Sequence, residues 1–217
     1  MVAPHPDDET LGCGGTLALL VRAGAAVHVV FVTDGRASHP AHPLFSPDRI
    51  AALRRGEARA AVGALGVVWD RVFFVDAPDG TLAALGPEGS NAVAAKLAGI
   101  LARTVPEAVF LTCRRDGSSD HEASVILARL ATEQAGQRPR MLEYPIWAWR
   151  NPLLLLKPIL ASRTVWRVDI HDVSKMKSAA LGAYASQTRP IPPDMLPVLS
   201  PEFTAEFMVP EEFFFER

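Results

Sequence analysis

A three-layer α/β fold, a mostly parallel sheet with helices on both faces, is predicted by two features of this 217-residue chain. Short Val- and Phe-rich runs alternate with helix-period segments, and the chain shows neither an internal repeat nor a low-complexity linker. Alternation of this kind builds a doubly covered, Rossmann-like sheet. Residues 26–33 (AVHVVFVT) read as a strand buried on both faces, because the apolar run is nearly continuous. Residues 71–75, 107–112, 140–146 and 164–170 read the same way. Helical patterns fall at about 15–24, 48–65, 88–104, 121–135 and 172–186. Ser46-Pro47-Asp48 supplies a helix start, with a Ser cap and Pro in the first turn. Only Met1-Val2-Ala3 is available for a first strand, so that strand is either very short or clipped. A clipped strand would expose a sheet position.

One domain over 1–217 is expected, with 187–217 as a Pro-rich C-terminal wrap or lid ending in Phe213-Phe214-Phe215. Hydrophobic residues make up 49% and charged residues 21%, which excludes a disordered chain, a collagen-like fibre and a coiled coil. A net charge of -2 offers no basic field for nucleic acid. No apolar run reaches the ~18 residues of a membrane span; Leu153 to Leu156 is the longest suspicious one. Two cysteines, Cys13 and Cys113, make no disulfide framework and fit a reducing, cytoplasmic setting. No signal peptide is visible.

His5-Pro6-Asp7-Asp8-Glu9 carries the chemistry. It follows a short apolar segment and precedes Gly12-Cys13-Gly14-Gly15, read as a turn that opens a helix. The carboxyl end of a strand is where open α/β sheets bind ligands. An imidazole with crowded carboxylates suits a metal and acid–base chemistry, since the acids repel one another without a cation. The plainer alternative is a polar loop in which an Asp caps the next helix. A second segment, 114–121 (RRDGSSDH), follows another strand. His121 there can complete a three-ligand site with His5 and Asp8, and three protein ligands leave a position open for water. Taken alone, His121 reads as a helix-cap or surface residue. A dinucleotide-binding reading of the glycines is a further alternative, disfavoured because the third Gly comes one residue early and acids occupy the phosphate turn.

These segments resemble the zinc-dependent N-acetylglucosamine deacetylases of the PIG-L/LmbE type. The likeness spans most of the chain. It includes Ala3 to Glu9, Gly14-Gly15-Thr16, Thr33-Asp34-Gly35, Arg54 with Glu57, Leu65-Gly66 and Asp120-His121. Further along it includes Lys177 to Ala180, Tyr184-Ala185-Ser186-Gln187 and Glu211-Glu212-Phe213. The resemblance implies zinc, or another divalent transition metal, held by His5, Asp8 and His121, with Asp7 as general base. The implied reaction removes acetyl from a small-molecule acetylated amino sugar or conjugate. Arg54, Asp79, Asp120 and Ser118 are implied substrate contacts.

One position departs. The family reads His-x-Asp-His where this chain has Ser118-Ser119-Asp120-His121. The missing His is thought to stabilise the oxyanion. Ser118, Arg115, Tyr144 or a tail residue is then expected to substitute, unless the chain is a weakened member that binds a sugar ligand or partner. His171 is another candidate, though a capping role suits it better.

Other residues carry two readings. Arg54 is either a solvated partner of Glu57 or a site residue, and Asp79 a turn residue or a substrate contact. His39 and His42 read as exposed loop residues or as the pocket mouth. Tyr144, Trp147 and Trp149 suit a pocket wall or the core. Residues 153–159 suit an apolar lid, a buried helix cap or a contact in a homo-oligomer.

Overall fold

The computed structural model describes residues 1–216. Seven strands form: β1 (Val2–Ala3), β2 (Val29–Thr33), β3 (Val72–Ala77), β4 (Ala108–Thr112), β5 (Arg140–Tyr144), β6 (Thr164–Asp169) and β7 (Glu211–Glu216). The helices are α1 (Asp8–Arg22), α2 (Pro47–Ala64), α3 (Gly86–Thr104), α4 (Ser119–Gln134), α5 (Pro152–Ala161), α6 (Ser174–Ala183), α7 (Ala185–Thr188) and α8 (Pro201–Ala205). Strands β1, β2 and β3 pair in parallel, and β4 pairs in parallel with β5. β3-β2-β1 form one sheet and β4-β5-β7-β6 a second, and β1 lies beside β4 where the two abut.

β2 shows why its sequence is continuously apolar. Val29 and Phe31 pack with Leu17, Ala58, Val62 and Leu181 on one face of the sheet. Val30 and Val32 pack with Leu97, Ile100, Leu127 and Ala131 on the other. Strand alternation thus feeds two cores, one beneath α1, α2 and α6 and one beneath α3 and α4.

The first strand has two residues but no exposed edge. Val2 pairs with Val30 and Ala3 with Phe31, and both are buried between β2 and β4. The Thr33 N–H and hydroxyl donate to Pro4 O at 2.9 Å each, extending the pairing toward His5.

The glycine segment differs from its expected turn: α1 begins at Asp8 and Gly12 to Gly15 lie within it. The glycines serve close packing rather than a bend. A Cβ on Gly12 would sit 2.0 Å from Tyr144 Cδ2, and one on Gly15 would sit 2.6 Å from Ile170. The C-terminal segment also does more than wrap. β7 is an internal strand, antiparallel to both β5 and β6, and the Glu212 carboxylate accepts the Gly15 and Thr16 N–H groups at 2.8 Å each. Lys177 Nζ donates to the same carboxylate at 2.8 Å, so the Lys177 and Glu212 motifs together brace Gly14-Gly15-Thr16.

The Ser46 cap forms as expected, its hydroxyl accepting from the Arg49 N–H. α5 is not a buried cap: Leu153, Leu156, Ile159 and Leu160 are exposed and Leu155 is buried. Among the described residues no helix is long and apolar enough to cross a membrane.

Candidate active site

The carboxyl ends of β1 and β4 meet where the strand order reverses, and this is where such sheets bind ligands. β1 runs directly into His5, Asp7 and Asp8, and β4 runs into Asp116 and the start of α4 with His121. Asp7 adopts φ 133° at the N-cap of α1, a strained conformation for a non-glycine residue. Neighbours hold it there. Asp7 O accepts the Thr10 and Leu11 N–H groups at 3.0 and 2.9 Å, and the Asp7 N–H donates to Glu9 Oε2 at 3.1 Å. Glu9 is fully buried and accepts from Tyr184 Oη at 2.7 Å.

His5 Nδ1, Asp8 Oδ2 and His121 Nε2 form a triangle with all three sides at 3.2 Å. A tetrahedral ion with bonds of about 2.0–2.1 Å separates its ligand atoms by roughly 3.3–3.4 Å. The donor set therefore fits a transition-metal ion with an open fourth position. Both imidazoles are backed by carboxylates, the usual outer-shell arrangement around a metal-binding His. His121 Nδ1 lies 2.6 Å from Asp116 Oδ2, and His5 Nε2 lies 3.0 Å from Asp79 Oδ1 and 3.4 Å from Asp120 Oδ2.

Burial disfavours charge on each group, and local partners decide the outcome. It pushes His5 down, but hydrogen bonds to Asp120, Asp79 and Asp8 carry that imidazole well above its ordinary value. For His121 burial is likewise overcome, by the Asp8 charge and the Asp116 hydrogen bond, and its pKa is pushed up to about 9. Burial would raise Asp8, yet His121 and His5 hold it below the usual carboxylate range. Asp7 is pushed up to about 7 because burial outweighs the nearby Arg54. A cluster that holds protons on two imidazoles is one where a cation is favoured, and a metal would take the place of those protons.

Arg54 is buried, not solvated. Its guanidinium donates to Asp7 Oδ2 at 2.8 Å, to Gly35 O at 3.2 Å and to Pro6 O. Glu57 instead accepts from the Ser186 N–H and hydroxyl at 2.7 and 2.6 Å, fixing the segment that carries Gln187. Asp79 is both a turn residue and a site residue, with Oδ2 accepting the Ala37 N–H at 3.0 Å. Asp120 accepts the Gly80 and Leu82 N–H groups at 2.7 and 3.0 Å, tying the β3 loop to α4.

Ser118 lines the same cavity of about 530 Å³ as His5, Asp7, Asp8, Arg54, Asp79 and His121. Gln187, Val198, Leu199 and Phe203 of the 187–217 segment line it too, whereas the three other candidates for the missing His role do not. Tyr144 is buried against Gly12, and Arg115 and His171 are exposed away from the lining. Trp147 lines the cavity and stacks on Phe203 at 4.7 Å, whereas Trp149 lines a separate cavity behind Leu11. His39 and His42 are buried rather than exposed. His42 Nε2 lies 3.4 Å from Ile191 O, so it anchors the loop to the C-terminal segment.

Sequence reasoning gave Asp116 no role. The structure buries it fully behind the His121 imidazole. Besides His121 it accepts the Ile146, Trp147 and Ala148 N–H groups at 2.8, 3.2 and 3.1 Å. Its place five residues before His121, at the end of an apolar strand, was the available signal.

Fold and site together define an α/β protein with a two-His, one-carboxylate cluster that could hold a metal ion, and a further buried carboxylate, Asp7, beside it at the switch point. The family model described as "PIG-L: GlcNAc-PI de-N-acetylase" matches residues 1–132, and the chain belongs to that family. A relative from Kineococcus radiotolerans, a 1D-myo-inositol 2-acetamido-2-deoxy-alpha-D-glucopyranoside deacetylase, is 41% identical over 83 residues, covering 37% of this chain and 22% of that protein. The deacetylase of the same name from Rhodococcus opacus is 27% identical over 265 aligned positions, covering 100% and 90%. This chain thus spans less than half the length of the first of these relatives. Among solved structures, GalB, the 4-carboxy-2-hydroxymuconate hydratase of Pseudomonas putida, shares 25% identity at TM-score 0.69, over 86% of this chain and 78% of that one. The same scaffold thus carries a hydratase as well as deacetylases, so the reaction has to be argued from the site.

Proposed function

We propose that this protein is a metal-dependent hydrolase that removes an N-acetyl group from an amino sugar or sugar conjugate, with zinc as the metal. The observation that carries the reading is the 3.2 Å triangle of His5, Asp8 and His121 beside Asp7 in one cavity. A bound zinc supplies Lewis acidity, which activates water and polarises the amide carbonyl.

Asp7 takes a proton from the attacking water and returns it to the leaving amine, so one carboxyl serves as base and then acid. Arg54 holds that carboxyl in place through Oδ2. Asp116 and Asp79 set the two imidazole orientations. Ser38, Asp79, Ser118, Ser119 and Gln187 line the cavity and offer hydrogen bonds to sugar hydroxyls. C–N cleavage then yields acetate and a free amine.

The test pairs metal analysis with amine release. Chelator-treated protein is titrated with zinc, and free amine is followed from N-acetylglucosamine and its inositol conjugate. The reading expects about one ion per chain, its loss in His121→Ala, and zinc-dependent amine release. Failure of the reconstituted protein to bind zinc would overturn it. So would tight zinc binding without amine release from any N-acetylated sugar.

A further inference from the structure

The cavity beside the proposed metal triangle is lined by side chains of two chemistries. One is polar: Ser38, Asp79, Ser118, Ser119 and Gln187. The other is apolar: Leu11, Ile146, Trp147, Val198, Leu199 and Phe203. The apolar lining starts at the triangle itself. Leu11 sits one turn along α1 from Asp8, and its N–H is bonded to Asp7 O at 2.9 Å. The Ile146 and Trp147 N–H groups donate to Asp116, the carboxylate behind His121. From there the lining passes through the Trp147–Phe203 stack to Leu199 and to Val198, which is 43% exposed at the rim.

A scissile amide held at the triangle has two substituents. The amine side is a polyhydroxylated sugar, which suits the polar lining. The acyl side is left to the apolar lining, and one methyl group leaves most of Trp147 and Val198, the two of these side chains with substantial exposed surface, uncovered. We propose that the preferred substrate carries an N-acyl group longer than acetyl, with its chain lying along Trp147 toward Val198. The inference rests on the hydrolase reading above and sharpens its substrate class. The reaction is unchanged in balance: water adds to the acyl carbon, the C–N bond breaks, and a carboxylic acid and an amine leave.

The test uses N-acetyl-, N-butyryl- and N-hexanoylglucosamine with the zinc-loaded protein, reading free amine. Full burial of each added methylene would raise kcat/KM by up to about fourfold. The expected result is a rise of tenfold or more from acetyl to hexanoyl that flattens in Trp147→Ala. Trp147 is 40% exposed, so that variant is expected to fold. A second readout needs no turnover. Hexanoate should quench tryptophan fluorescence at lower concentration than acetate, and the quench should be lost in Trp147→Ala. Acetyl cleavage with a flat or falling chain-length series would overturn this inference and leave the hydrolase reading standing. So would a rise that persists unchanged in Trp147→Ala. Cleavage of none of the amides by zinc-bound protein would instead overturn the hydrolase reading, and equal quenching by acetate and hexanoate would then overturn the acyl lining independently.

Discussion

Asp116→Asn isolates the contribution of the carboxylate behind His121. Oδ1 of Asp116 accepts the N–H groups of Ile146 and Ala148 at 2.8 and 3.1 Å, so the carbonyl of an asparagine would stay on that side. Its NH₂ would then face His121 Nδ1, now 2.6 Å from Oδ2, and the Trp147 N–H at 3.2 Å. Two donors cannot share a proton, so His121 must accept at Nδ1 and carry its proton on Nε2. Nε2 is the atom that points into the triangle, and protonated it cannot ligate. Zinc affinity should fall 10- to 100-fold, about 1.4–2.7 kcal/mol, as is typical when an outer-shell partner is lost. Orphaning the Trp147 N–H should cost the metal-free protein a further ~1–3 kcal/mol. The assays are competition against a chromophoric chelator and urea denaturation of the apoprotein, with His121→Ala as the ligand-loss reference. A folded Asn variant that binds zinc within twofold of wild type would refute the tautomer argument.

Gly12→Ala should destabilise by about 3 kcal/mol or more, because its Cβ would fall 2.0 Å from a fully buried Tyr144 ring. Gly56→Ala in α2, with nothing within 4 Å, should be neutral or stabilising by up to about 1 kcal/mol in the same denaturation assay. Arg54→Met leaves Asp7 buried without its ion-pair partner and should cost roughly 3–5 kcal/mol. Adding Asp7→Asn should recover part of that loss, and a purely additive double mutant would show that the pair is not coupled. Ser118→His restores the family residue at the cavity wall and should raise kcat by at least about tenfold, given what one oxyanion donor is worth. An unchanged kcat in a well-folded Ser118→His protein would remove the oxyanion argument.

The order of β1 to β6, α1 to α4 and α6, the buried character of β2 and the Ser46 cap were legible because they depend on periodicity and local hydrogen bonding. The residues of the triangle proposed as a metal site were legible too, because His5 and Asp8 lie in one short segment and His121 follows a second strand. Tertiary structure decided what pairwise distance controls. Gly12 to Gly15 read as a turn by local propensity, yet Tyr144, Ile170 and Lys177 need their bare backbone to pack on α1. Arg54 read as solvent-facing or functional with equal ease, and only the approach of α2 to β1 turned it onto Asp7, 47 residues away. Three Phe residues at the end of the chain showed no pairing partner in sequence. Their place between β5 and β6, with Glu212 bracing α1, is a long-range choice that no local pattern encodes. Residue type and spacing thus determined which groups were available for the chemistry. The packing of α1 against β5 and β7 decided which of them share one cavity, because burial and the pairing of buried polar groups are satisfied only once distant segments meet.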